Sequence, residues 1–258
     1  MSNKIPSRMN IFAFFLLVFF ISLPIYIMGT MMGMIGLFLL SIALTAIPTI
    51  SAMILTYKEN GGVKELLQKY LNFKIPKKIW YIPIIFLLPI LGILVLFLLY
   101  LIGATITDPM FPLIWMPIIF IFFLITSSLE EIGWQGYIYD RMEGEWDAFK
   151  AALILGTLWA LWHVPIILFW NGHDLLWIVG MLMVLIGWRF LIVWIYNNTN
   201  KSAFYASLFH AIGNTVEFMF SYFTMSLGVF IAGLLTLITA SIVICLFGPR
   251  TLAEFKYV

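Results

Sequence analysis

The sequence predicts an all-α, polytopic membrane protein of about eight transmembrane helices. Three observations carry that expectation. The 258 residues are 63% hydrophobic and only 10% charged, with a mean hydropathy of +1.06. A soluble domain of this length cannot hide so much apolar surface. The apolar residues are gathered into long runs, and roughly 20 apolar residues in a row suffice for a helix to cross a bilayer. Lysine and arginine fall almost wholly on alternate connecting segments, as the positive-inside rule requires. The formal net charge of +2 is too small to indicate a nucleic-acid partner. The single cysteine, Cys245, excludes a disulfide framework and a cysteine-based structural zinc site.

The elements follow in order. Residues Met1 to Asn10, with Lys4 and Arg8, lead into a first apolar run at 10–29. The start resembles a signal peptide, but its apolar part is too long and no small-residue cleavage site follows, so it reads as a first span. The second run covers 32–56, with Met31, Met32 and Met34 as core or lipid-facing filler. Between Tyr57 and Lys78 the chain is polar and carries Gly61-Gly62. Within it Val63, Leu66, Leu67, Tyr70 and Leu71 recur at helical spacing among lysines, which predicts a short amphipathic helix on the membrane surface. Further runs lie at 79–105, 113–139, 149–170, 175–196, 203–223 and 226–247. Trp80 and Trp115 suit interfacial positions, and His173 and Asp174 read as solvated loop residues. No repeat or low-complexity tract divides the chain, so 1–258 is expected to be one transmembrane domain with its chemistry confined to 113–223.

Charge placement sets the orientation. With eight spans and both termini cytoplasmic in a multi-pass protein of the cell membrane, the inner segments are 1–9, 57–78, 140–148, 197–202 and 248–258. They hold Lys4, Arg8, Lys58, Lys64, Lys69, Lys74, Lys77, Lys78, Arg141, Lys201, Arg250 and Lys256, and Lys150 sits at the inner mouth of the fifth run. The outer loops near 106–112, 171–174 and 224–226 contain neither Lys nor Arg. Arg189 alone falls within a run, near enough to its inner end to be expected to snorkel.

Polar residues inside the runs are the candidates for function. The stretch Ser127-Ser128-Leu129-Glu130-Glu131-Ile132-Gly133-Trp134-Gln135-Gly136-Tyr137 puts two adjacent carboxylates well inside the fourth run. An acidic residue at a helix centre costs about 3 kcal/mol on insertion, so such residues are functional candidates by default. His163 follows Trp159 by four residues and shares its helix face. His210, Asn214 and Glu217 stand at i, i+4 and i+7, again one face. A bundle turning these faces together makes one polar pocket below the cytoplasmic surface. A single membrane histidine serves as readily for an interhelical hydrogen bond, and Glu217 is expected to pair with Arg189.

Two carboxylates, two histidines and an asparagine fit peptide hydrolysis: a base activates water and donors hold the tetrahedral oxyanion. The zinc motif H-E-x-x-H, the aspartyl motif G-x-G-D and the serine motif G-x-S-G are absent. Glu130-Glu131 with Gly136, Trp159-x-x-x-His163 and His210-x-x-x-Asn214 resemble the E-E-x-x-x-R, F-x-x-x-H and H-x-x-x-N/D motifs of the CPBP (CAAX protease and bacteriocin-processing) intramembrane proteases, which include the type II CAAX prenyl endopeptidases. The tract Asn198-Thr199-Asn200-Lys201-Ser202 is similar to the loop that precedes the third motif there. The resemblance covers about 113–220.

That resemblance implies eight helices and a cavity facing the cytoplasm. It implies that Glu130 and His163 position the attacking water and that His210 and Asn214 hold the oxyanion. The alternative view of the same family makes Glu130, His163 and His210 ligands of a divalent metal, zinc by its open His₂Glu geometry. The metal-free reading is preferred. Two positions depart from the pattern. Trp159 replaces Phe and keeps an aromatic wall. Gln135 replaces Arg and removes the i+4 cation for Glu131, so that Glu131 either is protonated and bonds Gln135 or takes Arg189 as its cation. Glu131, Gln135, Trp159 and Arg189 are therefore supporting residues. The expected partners are membrane lipid and a peptide: a prenylated or otherwise membrane-associated chain, or a bacteriocin or pheromone precursor. A non-catalytic immunity or scaffold protein of the same fold is the alternative, raised by Gln135. A proton-coupled transporter is a further one, against which no paired broken helices are visible.

Overall fold

The computed structural model describes residues 7–57, 59, 61–106, 108–109, 111–169 and 174–253. Lys4, Lys58, His173 and Lys256 lie outside the described residues, as does the side chain of Met34. Among the described residues every regular element is helical.

The long apolar runs form helices because only an internally hydrogen-bonded backbone is tolerated in hydrocarbon. Helix α1 spans Ser7–Met31. The second run is two helices, α2 (Gly33–Thr45) and α3 (Ile47–Thr56). Their joint falls at Ala46, just before Pro48 in the first turn of α3, where a missing N–H costs nothing. Seven helical stretches are long and apolar enough to cross a membrane. Besides the first two they include α5 (Tyr81–Leu101), α6 (Met116–Gly133) with its continuation, α8 (Ala148–Phe169), α9 (Leu175–Asn198) and α11 (Ser226–Phe247). The seventh expected run forms α10 (Ala203–Met219). At 17 residues it is about 26 Å long by helical rise, short of a full hydrocarbon crossing. It is enclosed by α5, α6 and α9.

Small residues let these helices approach closely, as membrane bundles require. A Cβ on Gly133 of α6 would lie 2.3 Å from the Pro48 backbone of α3, and one on Gly213 of α10 would lie 2.4 Å from the Trp188 ring of α9. Outward faces are apolar throughout: Phe20, Ile93, Ile114, Ile121, Ile238 and many others are exposed, as lipid-facing residues should be.

One end of the bundle holds the charges. The amphipathic helix α4 (Gly62–Tyr70) forms as expected but is docked on the bundle and not simply laid on a surface. Its Leu66 is buried, and Lys69 Nζ donates to the Gly136 carbonyl at 3.0 Å and to Asp140 at 2.6 Å. Around it Arg8 pairs with Glu145, Arg141 with Glu59, and Lys201 with both Asp140 and Glu143. Burial disfavours the Lys201 charge, but Asp140 and Glu143 outweigh that and hold its ammonium above the usual lysine range. Asp147 caps the start of α8: its carboxylate accepts from the Lys150 amide at 2.7 Å, and that bond holds it below the usual carboxylate range. At the other end Asp174 is more than a solvated loop residue. It caps α9, accepting from the Trp177 amide at 2.9 Å.

Candidate active site

The last turns of α6 carry Glu130 and Glu131, and the helix then changes character. Trp134–Tyr139 is a π-helical segment leading into α7 (Asp140–Glu145). Such segments often accompany functional sites. Widening the helix loosens its hydrogen-bond ladder, and two of its carbonyls receive side-chain cations: Gly136 from Lys69, and Tyr137 from Arg141 at 3.1 Å. Gln135 lies inside this segment, fully buried.

The two carboxylates have separate partners. Glu131 Oε2 accepts from Arg189 Nη1 at 2.8 Å, and its Oε1 accepts from His210 Nδ1 at 2.9 Å. Both members of the Glu131–Arg189 pair are 0% exposed. The same Arg189 nitrogen reaches Gln135 Oε1 at 3.4 Å. The missing i+4 cation is thus supplied from α9, and the protonated alternative for Glu131 is not needed. Two expectations for Arg189 fail here. It does not snorkel, because its partner is at its own depth. It does not pair with Glu217, which is buried in a crevice with Leu88, Val184, Trp188, Tyr222 and Thr236. No hydrogen bond or ion pair reaches Glu217 among the described residues.

Glu130, 6% exposed, takes a neutral donor: its Oε2 accepts from Trp159 Nε1 at 3.1 Å. Trp159 is therefore more than the aromatic wall expected of it. Its ring is edge-on to His163 at 4.8 Å and to His210 at 5.3 Å between centroids. The Arg189 guanidinium lies 4.2 Å over its face. His163 Nδ1 meets the Trp159 carbonyl at 2.8 Å. A carbonyl can only accept, so Nδ1 carries the proton and Nε2 of the neutral ring is an acceptor. Asn214 donates to Ser127 Oγ at 3.5 Å, one turn before Glu130.

The structure thus brings Glu130, Glu131, Gln135, Trp159, His163, Arg189 and His210 into one cluster and joins Asn214 to it through Ser127. Ser127 was not singled out in the sequence, and neither were Tyr70, whose hydroxyl bonds Ser128 Oγ at 2.7 Å, and Tyr26, whose hydroxyl donates to the Trp162 carbonyl beside His163. Only Ser127 had a signal, its place three residues before Glu130. A regularity runs through the ionisable members. Glu130, His163 and His210 each have one polar atom held by protein. The other (Oε1, Nε2 and Nε2) has no hydrogen-bond partner among the described residues. Among those residues no three His, Cys, Asp or Glu side chains form a metal-ligand set. The Trp159 indole links the three, bonded to Glu130 and set edge-on to His163 and His210.

Two comparisons with known proteins agree with the resemblance carried by the motifs. Residues 112–216 match the family model described as type II CAAX prenyl endopeptidase Rce1-like. The matched segment holds Glu130, Glu131, Trp159, His163, His210 and Asn214. The chain is also 26% identical over 201 residues to the protein named CAAX prenyl protease 2 of Methanococcus maripaludis, covering 72% of this chain and 73% of that one.

Proposed function

We propose that this chain is an intramembrane endopeptidase of the CAAX-protease type. Its substrate on this reading is a membrane-associated peptide, prenylated or of the bacteriocin or pheromone kind, cut near the cytoplasmic face of the cell membrane, with both termini of the enzyme in the cytoplasm. The observation that carries the proposal is the gathering of Glu130, His163 and His210 around one buried indole, each with one polar atom bonded to protein and the other without a hydrogen-bond partner among the described residues. Groups fixed at one end and open at the other are what a preorganised hydrolytic site needs. The similarity of residues 112–216 to the type II CAAX prenyl endopeptidase model, and of 72% of the chain to a protein named for prenyl protease activity, supports the substrate class.

In the proposed reaction a water molecule is held between Glu130 Oε1 and His163 Nε2. Its oxygen attacks the scissile carbonyl carbon while one proton passes to Glu130. The carbonyl oxygen becomes an oxyanion and accepts from His210 and Asn214 Nδ2. His210, already donating from Nδ1 to Glu131, donates from Nε2 only as an imidazolium, and Glu131 would stabilise that charge as a triad carboxylate does. Collapse breaks the C–N bond, and the proton on Glu130 goes to the leaving amine. No step runs through a metal.

Gln135 was the ground for a non-catalytic scaffold or immunity protein. With Arg189 bonded to Glu131, that ground falls away. The test is purified protein in liposomes with a panel of lipidated and unlipidated peptides, wild type beside Glu130→Ala, with products identified by mass spectrometry. Cleavage by wild type alone is expected. No cleavage of any peptide, or equal cleavage by both proteins, would refute the reading. Glu130→Gln should abolish turnover in a folded protein, whereas Glu131→Gln should lower it only partly.

A further inference from the structure

We propose that Trp159 is a positioning residue: its indole N–H fixes the direction of Glu130 and keeps that carboxylate free of Arg189. The inference rests on the peptidase reading for its consequence in turnover, but not for the bond itself.

The ring has no freedom to do otherwise. Trp159 is fully buried, with His163 and His210 against its edges and Arg189 on its face. So held, Nε1 points from α8 to α6 and meets Glu130 Oε2 at 3.1 Å. A phenyl ring in the same place has no N–H to offer. A guanidinium over an indole face draws on its π density, and such polarisation strengthens the N–H as a donor. The Trp159 carbonyl holds His163 as well, so both water-activating groups are referred to one residue.

The need for such a device follows from the charges. Glu130 and Glu131 are adjacent, and the Arg189 guanidinium that pairs with Glu131 lies over the face of the same ring that holds Glu130. Arg189 spends one nitrogen on Glu131, while its Nε and Nη2 have no partner. A Glu130 carboxylate released from Trp159 has those donors within its electrostatic reach. A charge-assisted bond to them would be stronger than the neutral one it replaces and would take the base out of the reaction. Trp159 thus acts by giving Glu130 a partner that does not sequester it.

The experiment uses the full chain in detergent or liposomes with two variants, Trp159→Phe and Trp159→Tyr, so that a folding failure in one leaves the other. Both keep an aromatic ring and lose the N–H. Turnover should fall by about 10²-fold, the scale of a misdirected catalytic group, with KM changed less than twofold. An independent readout is the indole N–H resonances of ¹⁵N-tryptophan-labelled protein. The signal missing in the Trp159 variant should shift in Glu130→Gln and stay in place in Glu217→Gln. Wild-type turnover in folded Trp159→Phe, whose ring carries no donor at all, or an indole signal indifferent to Glu130→Gln, would overturn the proposal. If wild type cleaves nothing, the peptidase reading fails, and the resonance still decides whether the bond exists.

Discussion

Replacing Arg189 by methionine should destabilise the protein more than any other single change in the site. Its ion pair with Glu131 is 2.8 Å long and both side chains are 0% exposed. Removing one member of a buried pair leaves the other charged and unpaired, at a cost of about 3–5 kcal/mol. For a chain of this size 1 kcal/mol moves Tm by roughly 2–4 °C, so the expected fall is roughly 6–20 °C. The double variant Glu131→Gln with Arg189→Met removes both charges, and glutamine can still accept from His210. It should be less destabilised than the sum of the singles by about 2 kcal/mol, the coupling expected of residues in contact. Gln135 Oε1 is already 3.4 Å from the guanidinium, so adding Gln135→Arg to Arg189→Met returns a cation to nearly the same spot and should recover more than half of the lost Tm. The assay is thermal unfolding in one detergent for all four variants and wild type. An Arg189→Met loss below about 1 kcal/mol, or strictly additive singles, would show that the pair is not the buried unit described.

Three further outcomes are expected. Gly133→Leu should separate α3 from α6, because a Cβ there lies 2.3 Å from the Pro48 backbone; a loss of about 1–3 kcal/mol in thermal unfolding is expected, against none for Gly144→Ala, whose Cβ meets nothing. In a Cys245→Ala background, cysteines introduced at Gln68 and Asp108 should label from opposite sides of the membrane with an impermeant maleimide, and labelling from the same side would break the proposed topology. Burial disfavours the Lys201 charge, but Asp140 and Glu143 outweigh it and hold the ammonium above the usual lysine range, so its contribution is fully present below the unfolded value of about 10.4 and fades as pH rises through the higher folded one; the difference in Tm between wild type and Lys201→Met should shrink as pH rises above about 10, and a difference constant with pH would contradict it.

The candidate site was legible to the extent that helical spacing reports it. Glu130, His163, His210 and Asn214 stand out because polar groups inside apolar runs are costly, and i, i+4 spacing places neighbours on one face. Spacing reports nothing about which face of another helix lies opposite. Hence Glu217 looked a natural partner for Arg189, whereas the bundle gives Arg189 to Glu131 and turns Glu217 toward Tyr222. The sequence reports Trp159 by bulk, as a ring in place of a ring, and its N–H carries information only through α6, whose Glu130 lies across from it. The joint at Ala46 has a signal in Pro48, masked by the hydropathy that continues through it. The docking of α4 had none, since Leu66 and Lys69 suit a lipid surface equally well.

The Glu131–Arg189 pair also has a consequence for biogenesis. The two residues are 58 positions apart, so α6 enters the membrane with its carboxylates before the arginine exists. At 5–20 residues per second the delay is roughly 3–12 s. During that interval a helix carrying acidic residues, each about 3 kcal/mol unfavourable at a bilayer centre, must be retained by the insertion machinery or by its hydrophobic flank. Arg189 then enters against a similar penalty, which falls once Glu131 is there to receive it. A chain ending at Phe169 should therefore insert α6 less completely than the full chain does, because the cation that neutralises Glu131 has not been made.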